Sequence, residues 1–153
     1  MAIDSAALFN ALTSFAASSG QFDSVTGHEP KAAPAPTGVS CSVWVSDLRP
    51  IQSSGLASVS MRIEFTMRVY TSMLQEPQDG IDPRVLGATD AIFSALAGNF
   101  DIDVNGVRYI DVFGSDGEQL RAVAGFADQD GKKFRVMEVF VPVVLNDVYS
   151  EVA

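Results

Sequence analysis

Residues 59–70 read Val-Ser-Met-Arg-Ile-Glu-Phe-Thr-Met-Arg-Val-Tyr, apolar at every odd position and polar or charged at every even one until Tyr70. Successive side chains leave opposite sides of a pleated strand, so this period of two predicts a β-strand with one apolar and one wetted face. Residues 39–46 repeat the pattern, with Val39, Cys41, Val43 and Val45 on one side and Ser40, Ser42, Trp44 and Ser46 on the other. The two segments predict a hairpin across residues 47–56, whose tip combines the turn formers Pro50, Ser53, Ser54 and Gly55 with the aliphatic Leu48 and Ile51. A strand over residues 57–70 would span roughly 45 Å at about 3.3 Å per residue, whereas a compact domain of this length is about 38 Å across. The hairpin is therefore expected to bend or project, and its apolar face to need cover from a second copy or a partner.

Helical spacing appears twice. Over residues 5–19, Leu8, Phe9, Leu12, Phe15 and Ala16 share a face, with Asp4 or Ser5 as N-cap and Gly20 as terminator. Asp82-Pro83 opens a second helix with a capping carboxylate and a first-turn proline; Leu86, Thr89, Ile92, Phe93 and Leu96 form the face toward the sheet, and Gly98-Asn99 ends it. Between the first helix and the first strand, residues 21–38 carry Pro30, Pro34 and Pro36 and read as a long surface loop or arm. Residues 75–80 read as a polar turn. Three more strands are predicted over residues 107–113, 120–127 and 133–144, separated by the turn-forming Ser115-Asp116-Gly117 and Asp128-Gln129-Asp130-Gly131. Pro142 lacks an amide hydrogen and is expected at an edge or beyond the ladder. The order defines one α+β domain: a largely antiparallel, or mixed, sheet of about five strands with two packed helices and a long projecting β-hairpin.

Charge and composition narrow the function. A net charge of −9 on 153 residues opposes a principal role in gripping nucleic acid, which needs clustered Lys and Arg. Only Lys132, Lys133 and Arg135 cluster, beside a predicted turn where a solvated hairpin tip accounts for them. No apolar run approaches the about 20 residues that cross a bilayer, and the N-terminal Met-Ala-Ile-Asp lacks the basic start of a signal peptide, so a cytosolic site of synthesis is expected. The single Cys41 has no disulfide partner in the chain and lies on the apolar side of its strand, where a thiol acts as a small hydrophobe.

The sharpest chemical motif is Asp101-Ile102-Asp103-Val104-Asn105-Gly106, the first half of a calcium loop. Its twelfth position, which should hold a bidentate Glu, is Val112, and Arg108 stands at the eighth, so a turn feeding the next strand is the expected role. His28, the sole histidine, lies in the proline-rich loop, and one His with one Cys does not make a tetrahedral zinc set. The pairs Asp79/Asp82 and Asp128/Asp130 have turn and helix-start roles available and no basic partner that would grip a substrate. No P-loop, dinucleotide fingerprint or nucleophile elbow occurs. The expectation is a non-enzyme without catalytic, cofactor-binding or metal-binding residues.

An N-terminal helix, a strand hairpin ending in Arg68-Val69-Tyr70, a helix opened by Asp82-Pro83, a strand over residues 107–113, and the closing Phe134-Arg135-Val136-Met137-Glu138-Val139-Phe140-Val141-Pro142-Val143 followed by Asn146-Asp147-Val148-Tyr149 together resemble the tail terminator proteins of long-tailed, siphovirus-type phages. The resemblance covers nearly the whole chain and rests on element order and the closing strand. It implies a virion protein of the tail and neck, assembled in the host cytoplasm. Its homohexameric ring caps the tail tube protein, ends tube polymerisation and offers a surface to the head-tail connector protein. DNA then passes through the lumen without specific binding, and no membrane or cofactor is involved. Contacts with a neighbour or the tube are expected at Leu48, Arg49 and Ile51 in the hairpin and at Met73 and Leu74 beyond it. The alternatives are another neck or tail component (a head-closure, tail-completion or tail tube subunit) or a cytosolic small-molecule-binding protein.

Overall fold

Asp4 accepts the Ala7 N–H at 3.0 Å and opens helix α1, Ser5–Ser18. The chain then forms β1 (Ser24–Thr26), β2 (Val39–Gln52), β3 (Ser58–Ser72), helix α2 (Ile81–Gly98), β4 (Val107–Ile110), β5 (Arg121–Gln129) and β6 (Lys132–Ser150). The computed structural model describes residues 3–34, 37–53, 55 and 57–151. The N-terminal Met1 and Ala2, Ala35 and Pro36 of the proline-rich loop, Ser54 and Leu56 of the hairpin tip, and Val152 and Ala153 lie outside the described residues. The strands make one six-stranded sheet in the order β1-β2-β3-β6-β4, with β5 also paired to β6. Every pairing is antiparallel except β1 with β2, so the α+β class and the mixed sheet with two packed helices are as the sequence indicated.

The expected hairpin is present, but it is two strands of a three-strand ribbon. β3 is flanked along its length by β2 on one side and by β6 on the other, from Ser58 opposite Ser150 to Ser72 opposite Phe134. Its odd-numbered side chains, Met61, Ile63, Phe65, Met67 and Val69, are buried with Leu8, Leu12 and Ala16 of α1 and Val85, Ala88, Ile92 and Leu96 of α2. Phe9 meets Phe65 edge to face at 5.3 Å. The apolar face expected to need a partner is thus covered by the chain's own helices. At 14 and 18 residues they run about 21 and 27 Å.

The face expected to be wetted is also largely covered. Arg62 is 1% exposed, and its Nε lies 3.7 Å from the fully buried Asp111 carboxylate. Asp111 in turn accepts the N–H groups of Ser115 at 2.7 Å and Asp116 at 2.9 Å, and the Glu118 carbonyl accepts from Arg62. Residues 111–120 are therefore folded down over Arg62 instead of continuing β4. Gly117, at φ +155, lies so close that an added Cβ would stand 2.8 Å from the Arg62 Cζ. At the other end of β3, Tyr70 stacks edge to face with Phe134 at 6.1 Å, and Ala33 of the proline-rich loop packs on them. That loop is tied down where the Ala33 N–H donates to Asp130 at 2.8 Å and Gln129 donates to the Pro30 carbonyl.

Several boundaries differ from the sequence reading for local reasons. β2 continues to Gln52 through a register shift between Val45 and Asp47, so Pro50 lies in a strand, opposite Met61, where β2 has no second strand partner among the described residues. β1, three residues before the prolines, has too little length to show a period. α2 starts at Ile81 with Gly80 as N-cap and no side-chain cap, and the Asp82 carboxylate instead accepts from Arg135 Nε at 2.9 Å. Leu86, expected inward, is exposed, because the inward face follows Ile81, Val85, Ala88, Thr89, Ile92 and Leu96. β4 and β5 pair with β6 and not with each other, so Ser115-Asp116-Gly117 is no hairpin turn. Asp130-Gly131, both at positive φ between Gln129 and Lys132, is one.

Pro142 occupies an interior strand. Its carbonyl accepts the Asp111 N–H at 2.9 Å, and an extended residue directs its N and O toward the same neighbour. The missing donor therefore faces the Asp111 carbonyl, which accepts the Leu120 N–H at 3.2 Å in its place, so that acceptor is not left unpaired.

Removing one partner of a buried ion pair leaves the other charge uncompensated. Asp111→Ala is expected to lower stability by about 3–5 kcal/mol in urea denaturation, and the double change Arg62→Met/Asp111→Leu to recover most of that loss. Equal destabilisation by the single and double variants would show that the pair's charge is not what closes this face.

Candidate assembly surfaces

The chemistry-bearing residues are dispersed. His28 is exposed in the loop after β1, while Cys41 is fully buried in β2 and its thiol is pushed up to about 12 by that burial. In the calcium-like segment the Asp101 carboxylate accepts the Asp103 N–H and the Asp103 carboxylate accepts from Asn99, while Ile102 and Asp103 adopt positive φ. The segment is a turn with its carboxylates engaged locally, and it faces α1 across an open hollow of about 530 Å³. Among the described residues no group of three or more His, Cys, Asp or Glu side chains is gathered as metal ligands would be. No helix among them is long and apolar enough to cross a membrane.

The surface features lie at the two ends of the ribbon. At the hairpin end Leu48 is 50% exposed opposite Ile63, Ile51 is half-buried opposite Ser60, and Arg49 is held by Asp47 at 2.8 Å. At the other end Leu74 is 88% exposed and Met73 is half-buried. The residues singled out in the sequence therefore form two patches separated by the length of β3, about 50 Å, and not one site.

Met73, Ile81 and Phe126 line a hollow of about 530 Å³. Beside it, Val85, Leu86, Ala124 and Met137 line a mainly apolar one of about 390 Å³. Asp82 and Arg135, themselves paired, belong to both, so the two hollows form one groove between α2 and β5. Arg135 and Lys133 lie over the Phe126 ring at 4.6 and 5.5 Å, which holds this half-exposed aromatic in place. β5 itself pairs only with β6 among the described residues, leaving an open edge with Ala122, Ala124, Gly125 and Ala127 along it.

Sequence reasoning missed this groove because it assigned Leu86 to the core and Phe126 to an ordinary strand. Choosing Val85 over Leu86 would have found it, since 81, 85, 88, 92 and 96 keep the helical period better. Phe113, placed at the end of a strand in the sequence reading, is instead 88% exposed on the loop pinned over Arg62. Tyr109 donates its hydroxyl to Asp116 in that loop, and burial together with this bond pushes its pKa up to about 12.

Neither a protein-family model nor a curated protein matches the chain. Among solved structures, a chain of the virion of native gene transfer agent (GTA) particle is similar to it, with a TM-score of 0.49 and 18% identity over 88% of this chain and 84% of that one.

The Asp147 carboxylate accepts hydroxyl bonds from Ser53 and Ser58 and so ties the base of the hairpin turn to β6. These bonds hold its pKa below the ordinary 3.8. A depressed carboxyl contributes stability that is complete above the unfolded value and lost as pH falls through the folded one. Acidification below about pH 3.8 should therefore speed amide exchange around residues 53–58 before the core opens, and Ser53→Ala/Ser58→Ala should remove that pH dependence. Identical exchange profiles for both proteins across this range would refute it.

Proposed function

We propose that this chain is a structural virion protein that caps a phage tail tube as a ring, ends tube growth and presents the head-attachment surface. The observation that carries the reading is the placement of apolar side chains at both ends of one stiff ribbon, Leu48 at the hairpin and Leu74 with the Met73-Phe126-Leu86 groove at the opposite end. An apolar groove open to solvent is the kind of surface that interaction sites use, and two different patches on one subunit suit head-to-tail contacts around a cyclic axis. The resemblance of element order to tail terminators supports the same reading. The acidic balance suits a conduit that DNA crosses without adhering. In this role the partners are other copies of the chain, the tail tube protein and the connector, and the protein has no catalytic duty.

Negative-stain imaging of the purified protein, alone and mixed with tail tubes, tests the proposal: rings and capped tubes are expected. Long self-assembled cylinders would assign the chain to the tube itself, and a monomer indifferent to tubes would overturn the reading. Leu74→Asp and Ile51→Asp are each expected to reduce ring formation or capping about tenfold or more. For Leu74→Asp, an exposed change, stability should stay within about 0.5 kcal/mol of the parent. Normal assembly by both variants would remove these two sites.

A further inference from the structure

β5 meets β6 on one side and no strand on the other among the described residues. Asp130 and Gly131, both at positive φ, close its turn into β6 as a two-residue hairpin, so Gln129 and Lys132 exchange both backbone hydrogen bonds. Bonded positions alternate from there through Ala127, Gly125, Val123 and Arg121. The Lys133 carbonyl, opposite Asp128, fits this alternation by accepting the Met73 N–H on its other side at 3.1 Å. Ala122, Ala124, Phe126 and Asp128 therefore turn N–H and C=O away from β6, and none of these groups bonds to other backbone among the described residues.

A straight row of unpaired amides and carbonyls is matched by another extended backbone. Sheets that stay single blunt such an edge with proline, charge or a bulge, as β2 does with Pro50 and its register shift. β5 has no such protection: residues 122–127 read Ala-Val-Ala-Gly-Phe-Ala, without charge or proline, and Val123 and Phe126 are 45% and 59% exposed. Because β1 and β4 are three and four residues long and β2 is blunted, the strand that another copy can bring to this edge is its own β5.

We propose that β5 of one copy pairs antiparallel with β5 of a second copy, about a two-fold axis at Ala124. In that register Phe126 stands opposite the partner subunit's Ala122, Val123 opposite the partner's Gly125 and Arg121 opposite the partner's Ala127. Each bulky side chain faces a small one, and no like charges meet. The contact is isologous and stops at two copies, since the blunted β2 edge does not extend the joined sheet. It goes beyond the ring reading and does not rest on it: a two-fold contact adds to head-to-tail contacts and joins either two single chains or two rings.

The full-length chain suits a disulfide test, because its one native thiol, Cys41, is buried and poorly ionised. Ala124→Cys sets two thiols across the axis, where bonded partners have Cα atoms about 5.5 Å apart, within disulfide reach. Mild oxidation should convert most of this variant to a linked dimer, whereas Ala122→Cys alone should link about tenfold less and should link readily when mixed with Phe126→Cys. Ala124→Pro removes the central outward donor and Ala124→Lys sets two like charges face to face, and both spare the β6 ladder. Each should melt near the parent's temperature yet halve the mass of the parent assembly in sedimentation equilibrium, from dimer to monomer or from paired to single rings. The proposal is overturned if Ala124→Cys links no better than Ala122→Cys, or if both the proline and lysine variants keep the parent's mass. Rings seen in negative stain beside either result leave the ring reading standing, while a linked pair from a chain that forms no ring supports the pairing and counts against the ring.

Discussion

The structure depends on β3 being enclosed on every side although its sequence alternates like a strand with one wet face. Two neighbours satisfy its backbone, two helices cover its apolar side chains, and on the polar side loops cover Arg62 and Tyr70 while neighbouring strands engage Ser60 and Thr66. Putting Arg62 in that position imposes a demand that apolar packing does not meet, since a buried guanidinium needs an opposite charge and hydrogen-bond acceptors. Asp111 supplies the charge, and the loop that brings Asp111 ends β4 after four residues and separates it from β5. One charged residue in the middle of a strand thus dictates the course of a segment nearly fifty positions later. Two Arg62 nitrogens, Nε and Nη1, still lack a hydrogen-bond partner among the described residues, so part of the cost of burying this guanidinium is left uncompensated.

The same enclosure decides what remains for contact with other molecules. Once the helices cover the apolar face of the ribbon, that face no longer argues for a partner, and the case for assembly moves to side chains at its ends and at the α2/β5 groove. Sheet edges contribute unequally. The outer edge of β2 carries Pro50 and an irregularity after Val45, both of which discourage strand addition, whereas β5 presents nine residues without proline or an irregularity.

The period of two in residues 59–70 was enough to locate β3, and the D-G turn, the N-terminal cap at Asp4 and both helices were also legible. What the alternation could not convey is that its polar half would be buried, because Ser60, Arg62 and Thr66 look the same in sequence whether they face water or a distant loop. The misplacement of Leu86 has a similar origin: adjacent Val85 and Leu86 both fit an apolar face, and only the long-range packing on β3 and β6 selects Val85. Residues 107–113 read as one strand because Val112 and Phe113 extend the apolar pattern, while the constraint that breaks the strand sits at Arg62. Of the exposed apolar side chains, Leu48 and Leu74 were recognisable as aliphatics in predicted turn regions. Phe113 and the groove were not, since each arises from elements that meet only in three dimensions.

Stiffness links the fold to the proposed role. In a head-to-tail assembly the angle between the two contact patches of one subunit determines whether successive copies close into a ring or climb into a filament. If those patches sat on independent loops the angle would vary, and ring size with it. Here the loop over Arg62 is fastened to β3 through Arg62 and to β4 through Tyr109, and the groove is built from α2, β5 and β6, the last of which is a strand of the ribbon itself. The ribbon acts as a rigid arm between them, so its twist would fix the turn per subunit. In the proposed ring the buried arginine, costly for stability, would hold the hairpin half of the ribbon at a fixed angle to the groove at its other end.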